Sequence, residues 1–242
     1  VISSTDNARV KRVAELRSSR ERRRRGLFVA EGRREVERAL AAGLVAAELY
    51  HAPALLDWPG AVAVSERVLA KMTYRAKPEG VVAVFEAPRR ALPRDGSLYL
   101  VSVGVEKPGN LGALARSAEA AGAEALLVAE GQADPFNPNA IRASTGAVFT
   151  LPVLETTLEQ VAALGVALVA AVVAAPLRYS DADLTRPVAF AVGAEDRGLP
   201  PRWREAAELS VSIPLRPGAT SESLNVAVAA SLLLFEAVRQ RG

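Results

Sequence analysis

Val188-Ala189-Phe190-Ala191-Val192 is an unbroken apolar run, and Gly193-Ala194-Glu195-Asp196-Arg197-Gly198-Leu199 follows it directly. An apolar run without a polar member suits a strand buried on both faces. The flanking glycines let the backbone of the following turn approach a ligand while a carboxylate faces it. Leu98–Val105, Ala125–Ala129, Leu151–Leu154 and Val166–Val173 repeat the apolar pattern, with Ser210–Pro214 as an edge or final strand. Helical spacing between and after them predicts helices over Leu111–Ala121 (ended by Gly122), Asn139–Thr145, Leu158–Leu164, Arg202–Glu208 and Ser223–Arg239. Strands of this kind alternating with helices predict an α/β domain with a parallel sheet covered on both faces, and ligands in such sheets sit beyond the strands' carboxyl ends.

Upstream, Ala87 to Gly96 (APRRALPRDG) has the composition of an exposed connection, with two prolines, a glycine and three arginines. It divides the chain into domains 1–90 and 97–242, each long enough to bury its own core. The first domain alternates similarly. Helices are expected over Asn7–Ser19, Arg33–Ala42 and Glu66–Tyr74, and strands over Leu27–Ala30, Val45–Tyr50, Ala61–Val64 and Gly80–Glu86.

Composition narrows the chemistry. There is no Cys and a single His (His51), which removes disulfides, thiol nucleophiles and zinc fingers, so no metal site is expected. Only Lys11, Lys71, Lys77 and Lys107 are lysines among 30 basic residues; the others are arginine, whose fork suits phosphate. The net charge of +3 is uneven, with +6 in residues 1–40, +1 in 41–96 and −4 in 97–242. A nucleic-acid partner is therefore expected at the N-terminal end. The longest apolar run, Val161 to Ala175, is 15 residues, short of the roughly 18 that mark a membrane span. With no signal-peptide pattern, a cytoplasmic protein without membrane association is expected.

Three loops leave predicted strands and enter helices. In Glu106-Lys107-Pro108-Gly109-Asn110-Leu111-Gly112-Ala113-Leu114-Ala115-Arg116, Asn110 is placed to cap the helix and Arg116 to project from its second turn. The second loop is the Gly193–Leu199 turn. The third, Ile213-Pro214-Leu215-Arg216-Pro217-Gly218-Ala219-Thr220-Ser221-Glu222-Ser223-Leu224-Asn225, offers Ser221 and Ser223 as caps and puts Asn225 in the first turn of an otherwise apolar helix. An unpaired amide there would cost ~1–3 kcal/mol, which favours a polar neighbour such as a ligand or another loop. Taken singly, the first loop reads as well as a capped helix with a solvated arginine, and the second as well as an acidic turn, as either does as a ligand site, while Asn225 of the third is harder to dismiss.

In this order the three segments resemble the SpoU (TrmH) branch of the SPOUT RNA methyltransferases, whose motifs read N-x-G-A-x-x-R, G-x-E-x-x-G-L and I-P-…-S-L-N-V. The matches are Asn110 to Arg116, Gly193 to Leu199, and Ile213-Pro214 with Ser223-Leu224-Asn225-Val226. Asn7, Lys11, Arg22–Arg25 and Phe28-Val29-Ala30-Glu31-Gly32 resemble the family's small α/β substrate-binding domain. The resemblance implies methyl transfer from S-adenosyl-L-methionine to a ribose 2′-hydroxyl of RNA. It also implies a C-terminal deep trefoil knot and a homodimer, with the apolar final helix contributing to the interface. Cofactor binding would fall to Gly193, Ile213, Leu215 and Leu224, and catalysis to Asn110, Arg116, Glu195, Ser223 and Asn225. Two departures, Asp196 where the family usually has Gly and a longer 216–222 loop, bear on substrate choice.

A guanidinium with a pKa above ~12 is a poor general base, so Arg116 is expected to bind phosphate and polarise the hydroxyl, oriented by Glu195, Asn110 and Asn225. Phosphate contacts are expected from Lys11, Arg22, Arg23, Arg24, Arg25 and Arg33, with binding that weakens steeply with salt. The expected substrate is large-subunit ribosomal RNA. The alternatives are tRNA, a ribosomal site whose methylation confers antibiotic resistance, or a non-catalytic RNA-binding or ribosome-assembly role. Ser144-Thr145-Gly146-Ala147 after Arg142 resembles another family loop, and His51 reads as structural.

Overall fold

The computed structural model describes residues 1–131 and 134–242. In the first domain, the Asn7 side chain accepts from the Arg9 N–H and caps α1 (Ala8–Glu15), which buries Val10 and Val13. A second helix, α2 (Ser19–Arg25), was not expected. Its sequence, SRERRRR, has no apolar periodicity to read, and its support comes from Glu21, which pairs with Arg24 and Arg25 three and four residues on. Gly26, at φ 63°, stops it. There follow β1 (Leu27–Glu31), α3 (Arg33–Ala41), β2 (Ala46–His51), β3 (Val62–Ala63), α4 (Glu66–Met72) and β4 (Val81–Glu86). They build a four-stranded sheet in the order β1-β4-β2-β3, with β4 antiparallel to both neighbours and β3 parallel to β2.

The second domain contains β5 (Leu98–Val103), α5 (Pro108–Ala120), β6 (Ala125–Ala129), α6 (Pro138–Ser144), β7 (Val153–Glu155), α7 (Leu158–Ala162), β8 (Ala167–Ala171), β9 (Leu177–Arg178), β10 (Val188–Gly193), α8 (Pro201–Ala206), β11 (Leu209–Ser212) and α9 (Val226–Arg241). Its seven-stranded sheet runs β7-β6-β5-β10-β8-β11-β9, and every pairing in it is parallel. All of β5 and β6, and β10 as far as Val192, are buried, in keeping with apolar runs that only Ser102 of β5 interrupts. Two-residue β9 was missed because two residues carry no periodicity. The last helix begins at Val226 rather than Ser223, so Ser223 and Leu224 remain in the loop.

Each domain has a buried apolar cluster of its own, and a further one runs across the boundary between them. Phe28 of β1 stacks on Phe85 (5.6 Å between centroids) within its own sheet and on Phe136 (4.3 Å) and Phe149 (5.7 Å) across the boundary. The connection expected to be exposed is half-buried at several positions and pinned. Arg90 donates to the carbonyls of Phe149 and Thr150, and the Tyr99 hydroxyl donates to the Pro93 carbonyl at 2.8 Å.

Candidate active site

The direction of the sheet changes between β5 and β10: β6 and β7 extend from one, and β8, β11 and β9 from the other. Val103 and Gly193 pair at the adjacent carboxyl ends, where a crevice is expected. Gly193 is required there by contact rather than by torsion. A Cβ on it would collide with the backbone of Gly198 and Leu199, because the turn folds back on itself. The Gly198 N–H donates to the Ala194 carbonyl at 2.8 Å, with Gly198 at φ 64°.

A cavity of about 180 Å³ opens beside this turn, and Gly193, Ile213, Leu215, Ser223 and Leu224 all line it together with Glu195. A second space of about 310 Å³, lined by Lys107, Asn110, Asp196 and Arg197, shares Ala194, Glu195 and Val226 with the first. Glu195 thus stands on the wall between the two. It pairs with the Lys107 ammonium at 3.2 Å and accepts from the Asn225 amide. The Lys107 hydrogen bond, supported by the charge of that ammonium, holds the Glu195 carboxyl below the usual carboxylate range and outweighs the opposing desolvation.

Asn225 ties the three loops together. Its Nδ2 donates to Glu195 and, at 3.3 Å, to Asn110, while its Oδ1 accepts from the N–H groups of Ala227 (3.0 Å) and Val228 (3.4 Å). It is therefore the cap of α9, not a first-turn residue, and its polar neighbours are the two other loops. Asn110 does not cap α5. Lys107 holds the cap position and Pro108 opens the helix, leaving the Asn110 side chain to meet Asn225. The motif's Gly112 serves packing, since a Cβ there would lie 2.8 Å from Ala143 and 2.9 Å from the Ser144 nitrogen of α6.

Arg116 is not brought into this cluster. It occupies the ninth position of α5, exposed, and among the described residues it has no hydrogen-bond or ion-pair partner. It immediately precedes Ser117, whose hydroxyl meets that of Ser231 on α9 at 2.7 Å. Lys107 is the site residue that sequence reasoning passed over. It stands in the first motif loop, but nothing local says that its ammonium meets a carboxylate 88 positions later.

The basic candidates of the first domain are paired. Arg22 is 4% exposed, held by Asp134 and by the carbonyls of Leu16 (2.6 Å) and Arg17 (2.7 Å), so it fastens the domains and is closed to solvent. Arg23 pairs with Glu155 (3.2 Å), Arg24 and Arg25 with Glu21 (2.6 and 3.1 Å), Arg33 with Glu37 (2.7 Å) and Lys11 with Asp6 (2.9 Å). All of these except Arg25, which is 21% exposed, lie largely open to solvent. Arg38 binds the Thr145 carbonyl across the domain boundary, which puts the Ser144–Ala147 loop against the first domain.

Residues 97–235, the sheet that carries this cluster, match the SpoU rRNA Methylase family. The chain belongs to that family. Residues 7–83 match the MRM3-like substrate binding domain, the second unit of this SpoU protein. An uncharacterized tRNA/rRNA methyltransferase of Synechocystis is 34% identical over 99% of this chain and 94% of its own length. The 23S rRNA (guanosine(2553)-2′-O)-methyltransferase of Bacillus subtilis is 30% identical over 97% of each chain. Among solved structures, an RNA 2′-O ribose methyltransferase superposes with a TM-score of 0.86 at 44% identity, over 99% of this chain and 98% of its own. The SpoU methyltransferase AviRb of Streptomyces viridochromogenes, in complex with AdoMet, gives 0.86 at 30% identity, over 97% of this chain and 98% of its own.

Proposed function

We propose that this SpoU family member is an S-adenosyl-L-methionine-dependent RNA 2′-O-ribose methyltransferase acting on large-subunit ribosomal RNA. The observation that carries the reading is the Asn110–Asn225–Glu195 cluster at the mouth of an apolar cavity bordered by the glycine turn. The similarity to a 23S rRNA 2′-O-methyltransferase over nearly the whole length favours ribosomal RNA over the tRNA alternative.

The cavity fits the cofactor on its own terms. Gly193 leaves no room for a side chain, and Ile213, Leu215 and Leu224 offer apolar walls next to the backbone. When bound there, S-adenosyl-L-methionine supplies an electrophilic methyl group on a cationic sulfur. The protein's part is placement. Asn225 fixes Asn110 and Glu195 relative to one another, and Lys107 lowers the pKa of Glu195 and holds its carboxylate in place. A carboxylate with a lowered pKa is a weak proton acceptor, so Glu195 is assigned to orientation. Ser223, on the cavity wall, is assigned to the same face. Arg116, without a hydrogen-bond or ion-pair partner among the described residues, takes the phosphate of the target nucleotide and polarises its 2′-hydroxyl.

The homodimer in this reading is supported by α9. Val228, Leu232, Phe235 and Val238 are 38–49% exposed along one face, while Ala230, Leu233, Leu234 and Ala237 bury on the other. A stripe of this kind on a single chain suits a subunit interface, and Arg116 stands one residue from the Ser117–Ser231 contact between α5 and α9. The trefoil knot belongs to the same reading, supported by the convergence of three loops from distant parts of the chain and by the family's fold. Cytoplasmic action would follow from a ribosomal substrate. Among the described residues, no helix is long and apolar enough to cross a membrane.

Ribose-methylation mapping of ribosomal RNA from cells with and without the protein tests the function, and a site lost with the gene names the substrate. Calorimetry with the cofactor alone separates an enzyme from a non-catalytic RNA-binding protein: the enzyme binds it without RNA, and absence of binding overturns the reading.

A further inference from the structure

Outside the active site, the most heavily constructed feature of the first domain is the loop from Thr73 to Glu79, between α4 and β4. Glu31, at the end of β1, is only 6% exposed, yet its carboxylate makes no ion pair among the described residues. It accepts instead from the backbone N–H groups of Tyr74 (2.5 Å) and Arg75 (3.2 Å). Burial pushes its carboxyl up from the ordinary carboxylate value, against those two hydrogen bonds, so a buried polar group is held at a desolvation cost where it ties the loop. Further ties act on the same few residues. The Arg17 guanidinium donates to the carbonyls of Lys71 (3.0 Å) and Thr73, and the Thr73 hydroxyl lies 3.3 Å from the Ala70 and Arg75 carbonyls. Arg75 pairs with Glu79 and, at 3.5 Å, with buried Glu35.

This scaffolding leaves Tyr74 open to solvent. At 48% exposure it is the one aromatic residue in positions 1–96 left so accessible. Lys71 and Lys77 stand on either side of it in sequence, both exposed and, among the described residues, without an ion pair, in contrast to the paired Arg22–Arg25 run. The loop also lies toward the catalytic domain, because Glu31, Glu35 and Arg75 share a narrow cavity with Pro138, Ile141 and Arg142 of α6. A rigid, exposed ring flanked by unpaired ammonium groups is the arrangement that receives a nucleobase on its face and phosphates beside it.

We propose that the Thr73–Glu79 loop is a stacking platform for an unpaired nucleotide of the RNA substrate, with Tyr74 under the base and Lys71 and Lys77 at the flanking phosphates. The proposal rests on the RNA reading above and adds a site remote from the methyl-transfer centre.

The test uses the full-length protein with a fluorescein-labelled single-stranded RNA 12-mer and a 12-base-pair RNA duplex, followed by anisotropy, alongside methylation of ribosomal RNA. Tyr74→Ala should weaken single-strand binding roughly tenfold while leaving duplex binding unchanged, and Tyr74→Phe should retain affinity because every base can stack on either ring. Lys71→Gln with Lys77→Gln should lower the slope of log affinity against log salt by about 1. Unaltered thermal melting of Tyr74→Ala separates lost stacking from lost folding. Single-strand binding of Tyr74→Ala equal to wild type overturns the platform, as does a Tyr74→Phe loss as large as that of Ala, or wild-type protein that binds the duplex and not the single strand. If wild type methylates ribosomal RNA while Tyr74→Ala binds normally, only the platform fails. If wild type transfers no methyl group to any ribosomal RNA, the functional reading fails, and the binding contrast still decides the platform.

Discussion

Arg116 and Glu195, both assigned above to the proposed reaction, differ in what they touch. Glu195 is held by Lys107 and Asn225, and its depressed pKa means that the ionised form is present above the ordinary carboxylate range and lost only as pH falls through the lowered value. The acid limb of kcat/KM should therefore lie below the ordinary Glu value of about 4.3, and Lys107→Met should move it upward. A wild-type limb already falling near pH 6, unmoved in Lys107→Met, contradicts the assignment. Arg116 meets no internal partner among the described residues, so its fork is available for phosphate. Arg116→Lys should lower kcat by about 100-fold if that fork positions the target ribose. Near-wild-type turnover by the Lys variant would remove any need for the guanidinium.

At the scale of elements, two features take their meaning from close contact. The turn after β10 exists because Gly193 lets residues 194–198 fold back onto it. Gly193→Ala should destabilise the protein by about 1–3 kcal/mol through overpacking and weaken cofactor affinity more than RNA affinity, read by calorimetry against each ligand. Helix α2 illustrates the opposite problem, a charge run whose members differ in fate. Arg22 is buried against Asp134, and removing it leaves that carboxylate unpaired in a mostly enclosed place. Arg22→Ala should cost about 3 kcal/mol in denaturant unfolding, whereas Arg24→Ala, at an exposed pair, should change stability by less than about 1 kcal/mol. Equal effects of the two would show that the buried contact is unimportant. Both cases explain what was legible beforehand. The strand runs and the helix-stopping glycines state their roles locally, so most elements could be placed. A uniform run of arginines carries no mark of which one turns inward.

For the whole molecule, the apolar cluster around Phe28, Phe85, Phe136 and Phe149 packs the two domains against one another in spite of the Pro- and Arg-rich connection. The exposed face of α9 has the opposite implication, an apolar surface still to be covered. Leu232→Glu with Phe235→Glu should convert the proposed dimer to monomer in sedimentation experiments, without unfolding, since both side chains are already more than a third exposed. A wild-type monomer at micromolar concentration would overturn the assembly.

The sequence by itself determined most of the elements, the parallel sheet and the identity of the three loops, because apolar runs, helical spacing and turn glycines are local signals read one segment at a time. It also located the cavity residues Gly193, Ile213, Leu215 and Leu224 through motif order. Only the tertiary structure decided that Asn225 caps α9 while bridging Asn110 and Glu195, that Lys107 neutralises Glu195, that Arg116 stands apart, and that Arg22 is an internal fastener. Each of these depends on a contact between groups far apart in the chain, and the energy of such a contact is set by distance, burial and partner charge, none of which is written in the neighbouring residues.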